Sequence, residues 1–139
     1  MTGPMTQEER DRFDALMDDC LSALHDRIGH LLDEISIVVL DEPTPEMLKD
    51  LGIDPADEEA LNELCGLHTG TALTERSVEA TDLPTQVHLF RRGIVSLAGG
   101  WESPNADDEV YEEIRITVLH EMGHHFGLNE DDLEELGYD

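Results

Sequence analysis

Apolar residues recur at helical spacing through the first third of the chain. Phe13, Leu16, Met17, Leu21, Leu24, Ile28, Leu31 and Leu32 fall on one face of a 3.6-residue period. Thr6 and Glu9 stand three apart at the start of this run, the pattern of a reciprocal cap on the first free backbone N–H groups. One amphipathic helix is predicted, ending near Asp33, with residues 1–5 as a loose tail. Residues 35–40 (ISIVVL) form a short β-branched run and predict a buried strand. Between 41 and 66 the chain is acidic and punctuated. Thr44-Pro45 and Asp54-Pro55 each set a capping side chain before a proline, and Gly52 and Gly66 stand where helices stop. Short helices over 45–51 and 55–65 follow, in a segment that reads as an insertion on a smaller scaffold. Residues 67–78 are polar and extended, with a bend at Gly70. Over 84–92, Val87, Leu89 and Arg91 alternate with Gln86, His88 and Phe90, which is strand period. Residues 93–104, with Gly99, Gly100, Trp101 and Pro104, read as a flexible loop. Asn105 then caps a helix with Asp107, Asp108 and Glu109 in its first turn, running to about His125 and stopping at Gly127. A short acidic helix over 131–136 closes the chain.

A length of 139 residues predicts one domain over 1–139. Charge narrows what it can bind. The chain carries 34 acidic and 8 basic residues, a formal net charge of −26. Such a field repels nucleic acid and anionic membranes and attracts basic peptides and cations. No apolar run reaches the length of a membrane span, and no basic-then-apolar signal opens the chain. A cytoplasmic protein is therefore expected. Cys20 and Cys65 have no partner at metal-ligand spacing and are expected to be reduced.

The chemistry lies in residues 117–130, TVLHEMGHHFGLNE. His120 and His124 flank Glu121, Met122 and Gly123 in an H-E-x-x-H arrangement. Helical positions four apart lie one turn apart on one face. Two imidazoles so placed can reach a single ion at about 2.0–2.1 Å. Glu121 lies about 100° around the helix from His120. It stands beside the ion, where it can take a proton from metal-activated water and return it to a leaving amine. That is peptide-bond hydrolysis without a covalent intermediate. A catalytic zinc takes three protein ligands and keeps one position open. Gly127 can turn the chain back beneath the helix. Glu130, six residues after His124, then falls at the last position of the longer H-E-x-x-H-x-x-G-x-x-H pattern. Asp131 is the alternative third ligand, and Asn129 comes after it. The His/His/carboxylate set suits one Zn²⁺ per chain.

The sequence resembles a small bacterial family of zinc metallopeptidases, the minimal zincins. Gly66, Leu67, Gly70, Leu73, Thr74, Arg76 and Ser77 match its G-L-x-x-G-x-x-L-T-x-R-S segment. Pro84, Val87, Leu89, Phe90 and Arg91 are similar to the strand that follows, and Thr117 to Gly127 to its zinc helix. The likeness covers Ile35 to the C-terminus, more loosely over 41–66. It implies a compact α+β zincin-like fold with a long N-terminal helix, a small mixed sheet and a C-terminal zinc helix. The family usually has aspartate where this chain has Glu130. No methionine follows Met122, so a metzincin Met-turn is absent.

Other residues carry two readings each. Arg76 and His68 can contact a substrate carboxylate or a developing oxyanion, or be a structural ion pair and a surface histidine. His125 reads as packing, and His25, His30 and His88 have no motif context. Trp101 can cover the cleft or simply pack. If strand 84–92 were a sheet edge, an extended peptide could pair with it. Three functions follow: a zinc peptidase acting on a peptide or unfolded protein, a non-catalytic zinc protein whose acidic surface binds a partner, or, third, an acidic binder of basic peptides that holds no metal. The oligomeric state is not legible.

Overall fold

A computed structural model of the chain describes residues 5–69, 86–129, 131 and 132. The elements run α1 (Gln7–Leu32), β1 (Ser36–Leu40), α2 (Pro45–Asp50), α3 (Glu58–Glu63), β2 (Gly66–Thr69), β3 (Gln86–Phe90), α4 (Arg91–Leu97) and α5 (Ala106–Phe126). This is the α+β architecture expected: a long first helix, a small mixed sheet and a long C-terminal helix.

Thr6 caps α1 as its sequence requires. Its hydroxyl accepts from Glu9 N at 3.1 Å, and Glu9 accepts from Thr6 N at 3.0 Å. Phe13, Met17, Cys20, Leu24, Ile28 and Leu32 form the buried stripe. They meet Ile114, Val118 and Met122 of α5, and Val87 and Leu89 of β3, in one core. Both cysteines are free thiols, Cys20 buried and Cys65 half-buried. Burial pushes each up to about 11, which keeps them protonated and inert. Among the described residues no helix is long and apolar enough to cross a membrane.

The sheet order is β1-β3-β2, with β1 parallel and β2 antiparallel to β3. Residues 84–92 therefore do not supply an edge. β3 ends at Phe90 and is bonded on both sides, so no peptide can add to it. Among the described residues the strand outside β3 on the α5 side is β2, where Gly66 pairs with Leu89 and Leu67 with His88.

Three further expectations are corrected. Residues 93–97 are not the start of a flexible loop but form helix α4 together with Arg91 and Arg92, because Ile94 and Val95 are buried in the core. Gly93 permits this: a Cβ there would collide with the Leu64 carbonyl. Asp57 rather than Asp54 caps α3, accepting from Ala60 N at 3.1 Å. Asp54 instead accepts from Ala56 N at 2.9 Å and closes a turn. Gly66 does not stop a helix, because α3 ends at Glu63 and Gly66 opens β2.

The Arg91-Arg92 pair ties the β3–α4 junction to three other elements. Arg91 donates to Asp14 of α1 at 2.9 Å and to Asp41, just after β1, at 3.0 Å. Arg10 bonds Asp41 at 2.7 Å from the other side. Hydrogen bonds from Arg10 above all, then from Arg91, hold the Asp41 carboxyl below the usual range against the opposing effect of burial. Arg92 reaches Asn62, Glu42 and Glu58. The Arg91 guanidinium is largely buried while Asp14 is half exposed. Arg91→Met keeps the apolar stem and removes the charge. It is expected to cost about 1–2 kcal/mol, more than a surface pair and less than a fully buried one. Urea unfolding of the two proteins measures the difference.

His88 lies mid-way along β3, on the face opposite Val87 and Leu89. It is 7% exposed, and among the described residues its Nδ1 has no hydrogen-bond partner. Burial lowers its pKa below the ordinary histidine value. The folded state therefore binds this proton less readily than the unfolded chain. Stability from the neutral ring is fully present above about pH 6.5 and is lost as pH falls toward the depressed folded pKa. His88→Leu should flatten that part of the stability–pH curve below about pH 6.5. Parallel curves for the two proteins would contradict this assignment.

Candidate metal centre

α5 carries the site because its two long faces differ. Val110, Ile114, Val118 and Met122 hold it to the core, while His120 and His124 stay on the exposed side. Their Nε2 atoms stand 3.2 Å apart, and the ring centroids are 4.7 Å apart. Two nitrogens on a tetrahedral zinc at about 2.0–2.1 Å would be separated by about 3.3 Å. The pair thus has the spacing a shared ion requires, as the i, i+4 placement predicts. The same spacing serves as an N–H···N bond between neutral rings.

Glu121, one residue on, lies on a different face. It is 8% exposed and packs toward β2. A Cβ at Gly66 would lie 3.3 Å from Glu121 Cγ and 2.8 Å from Thr117 Cγ2. Thr117 is itself fixed, donating from Oγ1 to the Glu113 carbonyl at 2.8 Å. Gly66 and Thr117 are outside the five-residue motif; Thr117 lies one turn before Glu121 on α5, and no local pattern links Gly66 to either. Their approach comes from the packing of β2 on α5.

α5 ends as the sequence indicates. Gly127 has φ +67°, a left-handed cap that glycine adopts without strain, and the Gly127 and Leu128 N–H groups both bond to the Gly123 carbonyl. Asn129 and Asp132 then cap one another. Asn129 Oδ1 accepts from Asp132 N at 2.8 Å, and Asp132 Oδ2 accepts from Asn129 N at 2.9 Å. That employs the Asn129 side chain as a cap of the following turn. Asp131 is exposed at the start of the following turn. Among the described residues, no three or more His, Cys, Asp or Glu side chains are gathered closely enough to hold an ion. Glu130 and Arg76 lie outside the described residues, as does the side chain of His68.

The remaining candidates separate from the site. His125 is buried and packs edge-on to Phe126, with centroids 4.5 Å apart. Trp101 lies under the Arg12 guanidinium, 4.4 Å from its ring centroid, and Arg12 bonds Asp107 at 2.7 Å in the first turn of α5. His120 lies thirteen residues further along, roughly 20 Å at 1.5 Å per residue. Trp101 therefore packs at the far end of α5 and is not a lid over the histidines.

Residues 32–138 match the model of the zincin-like metallopeptidase family. The chain belongs to this family. The match takes in β1, the sheet, α4 and all of α5, so the histidine pair lies inside it. No curated protein matches the chain significantly. For this zincin-like protein the family carries the general expectation of zinc and of peptide-bond chemistry. The exposed histidine pair provides donors of the right type and separation for the metal.

Proposed function

We propose that this zincin-like protein is a zinc-dependent peptidase. His120 and His124 hold one zinc ion, Glu130 is the third ligand with Asp131 as its alternative, and Glu121 is the general base. The observation that carries the reading is the 3.2 Å separation of the two exposed Nε2 atoms beside a largely buried glutamate. Zinc bound there supplies Lewis acidity toward a peptide carbonyl and toward water. Glu121 removes a proton from the attacking water as its oxygen bonds to the carbonyl carbon. The same carboxyl returns that proton to the amine nitrogen as the C–N bond breaks. Arg76 and His68 are proposed to contact the substrate.

The edge that a strand-like substrate would use is β2. Among the described residues its backbone is paired on the β3 side only. Gly66 brings this strand against Glu121. A peptide added along β2 would lie beside the general base. The reading is tested by incubating the zinc-loaded full chain with an unstructured peptide library and identifying new amino termini by mass spectrometry. Cleavage that stops with a chelator and returns with zinc is expected. No cleavage by protein carrying stoichiometric zinc would leave a non-catalytic zinc protein with an acidic binding surface.

The net charge of −26 should also appear in the kinetics. Basic residues in the described chain are largely engaged, with Arg10, Arg12, Arg91, Arg92 and Arg115 all in ion pairs. A lysine-rich peptide should be processed at least about 10-fold faster than a glutamate-rich one of equal length at low salt. Raising ionic strength to about 1 M, where the Debye length is about 3 Å, should shrink that ratio. A ratio unaffected by salt would exclude a field effect.

A further inference from the structure

We infer that Gly66 and Thr117 are positioning residues for Glu121: the missing side chain at 66 lets β2 press onto α5 and fix the stem of the general base. This rests on the role proposed for Glu121. Gly66 needs no unusual backbone conformation at this point in β2, since its φ lies outside the left-handed range in which Gly52, Gly99, Gly100 and Gly127 are found. What it needs is space. A Cβ there would stand 2.8 Å from Thr117 Cγ2, closer than carbon atoms pack, and 3.3 Å from both Glu121 Cγ and the His88 carbonyl oxygen.

None of these neighbours yields easily. Thr117 is buried and its hydroxyl is bonded to the Glu113 carbonyl one turn back, which fixes its rotamer. The His88 carbonyl belongs to the central strand of the sheet. The third neighbour, Glu121 Cγ, is the base's own side chain. A methyl at position 66 must therefore move β2 away from α5 or turn the Glu121 side chain. Thr117 and Glu121 are four apart on α5 and meet β2 together, so a small shift of the strand reaches the carboxylate directly. His120 and His124 face solvent on another part of the helix and are untouched by that shift.

The clash names its own remedy. Thr117→Ser deletes Cγ2, the nearest atom to the added methyl, and keeps the hydroxyl bonded to Glu113. Gly66→Ala should lower kcat about 10- to 100-fold with KM little changed, because a displacement of about 1 Å can cost 10²-fold. Its zinc content should remain that of the wild type. Gly66→Ala/Thr117→Ser should recover most of kcat, measured against Thr117→Ser alone.

A readout independent of activity uses the metal-free protein. A nuclear Overhauser contact between Gly66 Hα and Glu121 Hγ is expected in the wild type, lost in Gly66→Ala and restored in the double variant. Wild-type kcat in Gly66→Ala, no rescue by Thr117→Ser, or absence of the wild-type contact would each overturn the assignment. If Gly66→Ala does not fold, the wild-type contact still decides. A wild type with zinc but no peptidase activity, and with the contact present, would defeat the peptidase reading while leaving the packing of Gly66 on Glu121 intact.

Discussion

Glu121→Gln should bind zinc as the wild type does and lose peptide hydrolysis by at least about 10²- to 10⁴-fold, the usual worth of a positioned general acid–base. Glutamine matches the shape of glutamate and preserves its packing against Gly66 and Thr117. It cannot accept the proton from water or return it to the amine. The loss should fall on kcat, because the proposed substrate-binding strand and both histidines are unchanged. This substitution separates the two zinc-binding functions compatible with the sequence. A non-catalytic zinc protein would show no effect on metal content, stability or partner binding. Residual hydrolysis near the wild-type rate in Glu121→Gln would remove the residue from the chemistry altogether.

The second large effect concerns the metal itself. His120→Ala and His124→Ala each delete one of two donors whose Nε2 atoms are 3.2 Å apart. Both rings are exposed, so their removal creates no core cavity and the fold should persist. Zinc affinity should fall at least about 100-fold in each, beyond the about 10- to 100-fold typical of removing an outer-shell partner. Competition with a chromophoric chelator measures it, and circular dichroism of the metal-free proteins checks that they are folded. His125→Ala is the contrasting variant. Its ring is buried against Phe126, so its effect should be on stability and not on metal affinity. An unchanged affinity in His120→Ala would remove α5 as the metal helix.

Much of this arrangement is legible in the sequence because it is local. The Thr6–Glu9 box, the apolar stripe of α1, the Thr44-Pro45 start of α2 and the Gly127 stop of α5 each depend on residues within one or two turns. The histidine pair is legible for the same reason, since i and i+4 must share a face. The errors arise where distant parts of the chain decide. α4 contains Gly93 and two β-branched residues, which disfavour a helix taken alone. Burial of Ile94 and Val95, and the tight approach of Leu64 to Gly93, override that preference. The alternation of Val87 and Leu89 identifies a strand but carries no information on which strands flank it. Hence β3 is central, and among the described residues β2 lies outside it. The proximity of Gly66 to Glu121 joins residues 55 apart in the chain, and only the assembled sheet reveals it. Trp101 sits in a glycine-flanked turn as read, yet its position at the opposite end of α5 depends on Arg12 of α1.

The most direct test of the central claim is X-ray absorption at the zinc edge, on protein purified without an affinity tag and loaded to one equivalent. The account predicts zinc with nitrogen and oxygen ligands only at about 2.0–2.1 Å, including two imidazoles, one of them lost in His120→Ala. A sulfur shell at about 2.3 Å would place the metal on a cysteine instead. Failure to retain any zinc would contradict the metal centre outright.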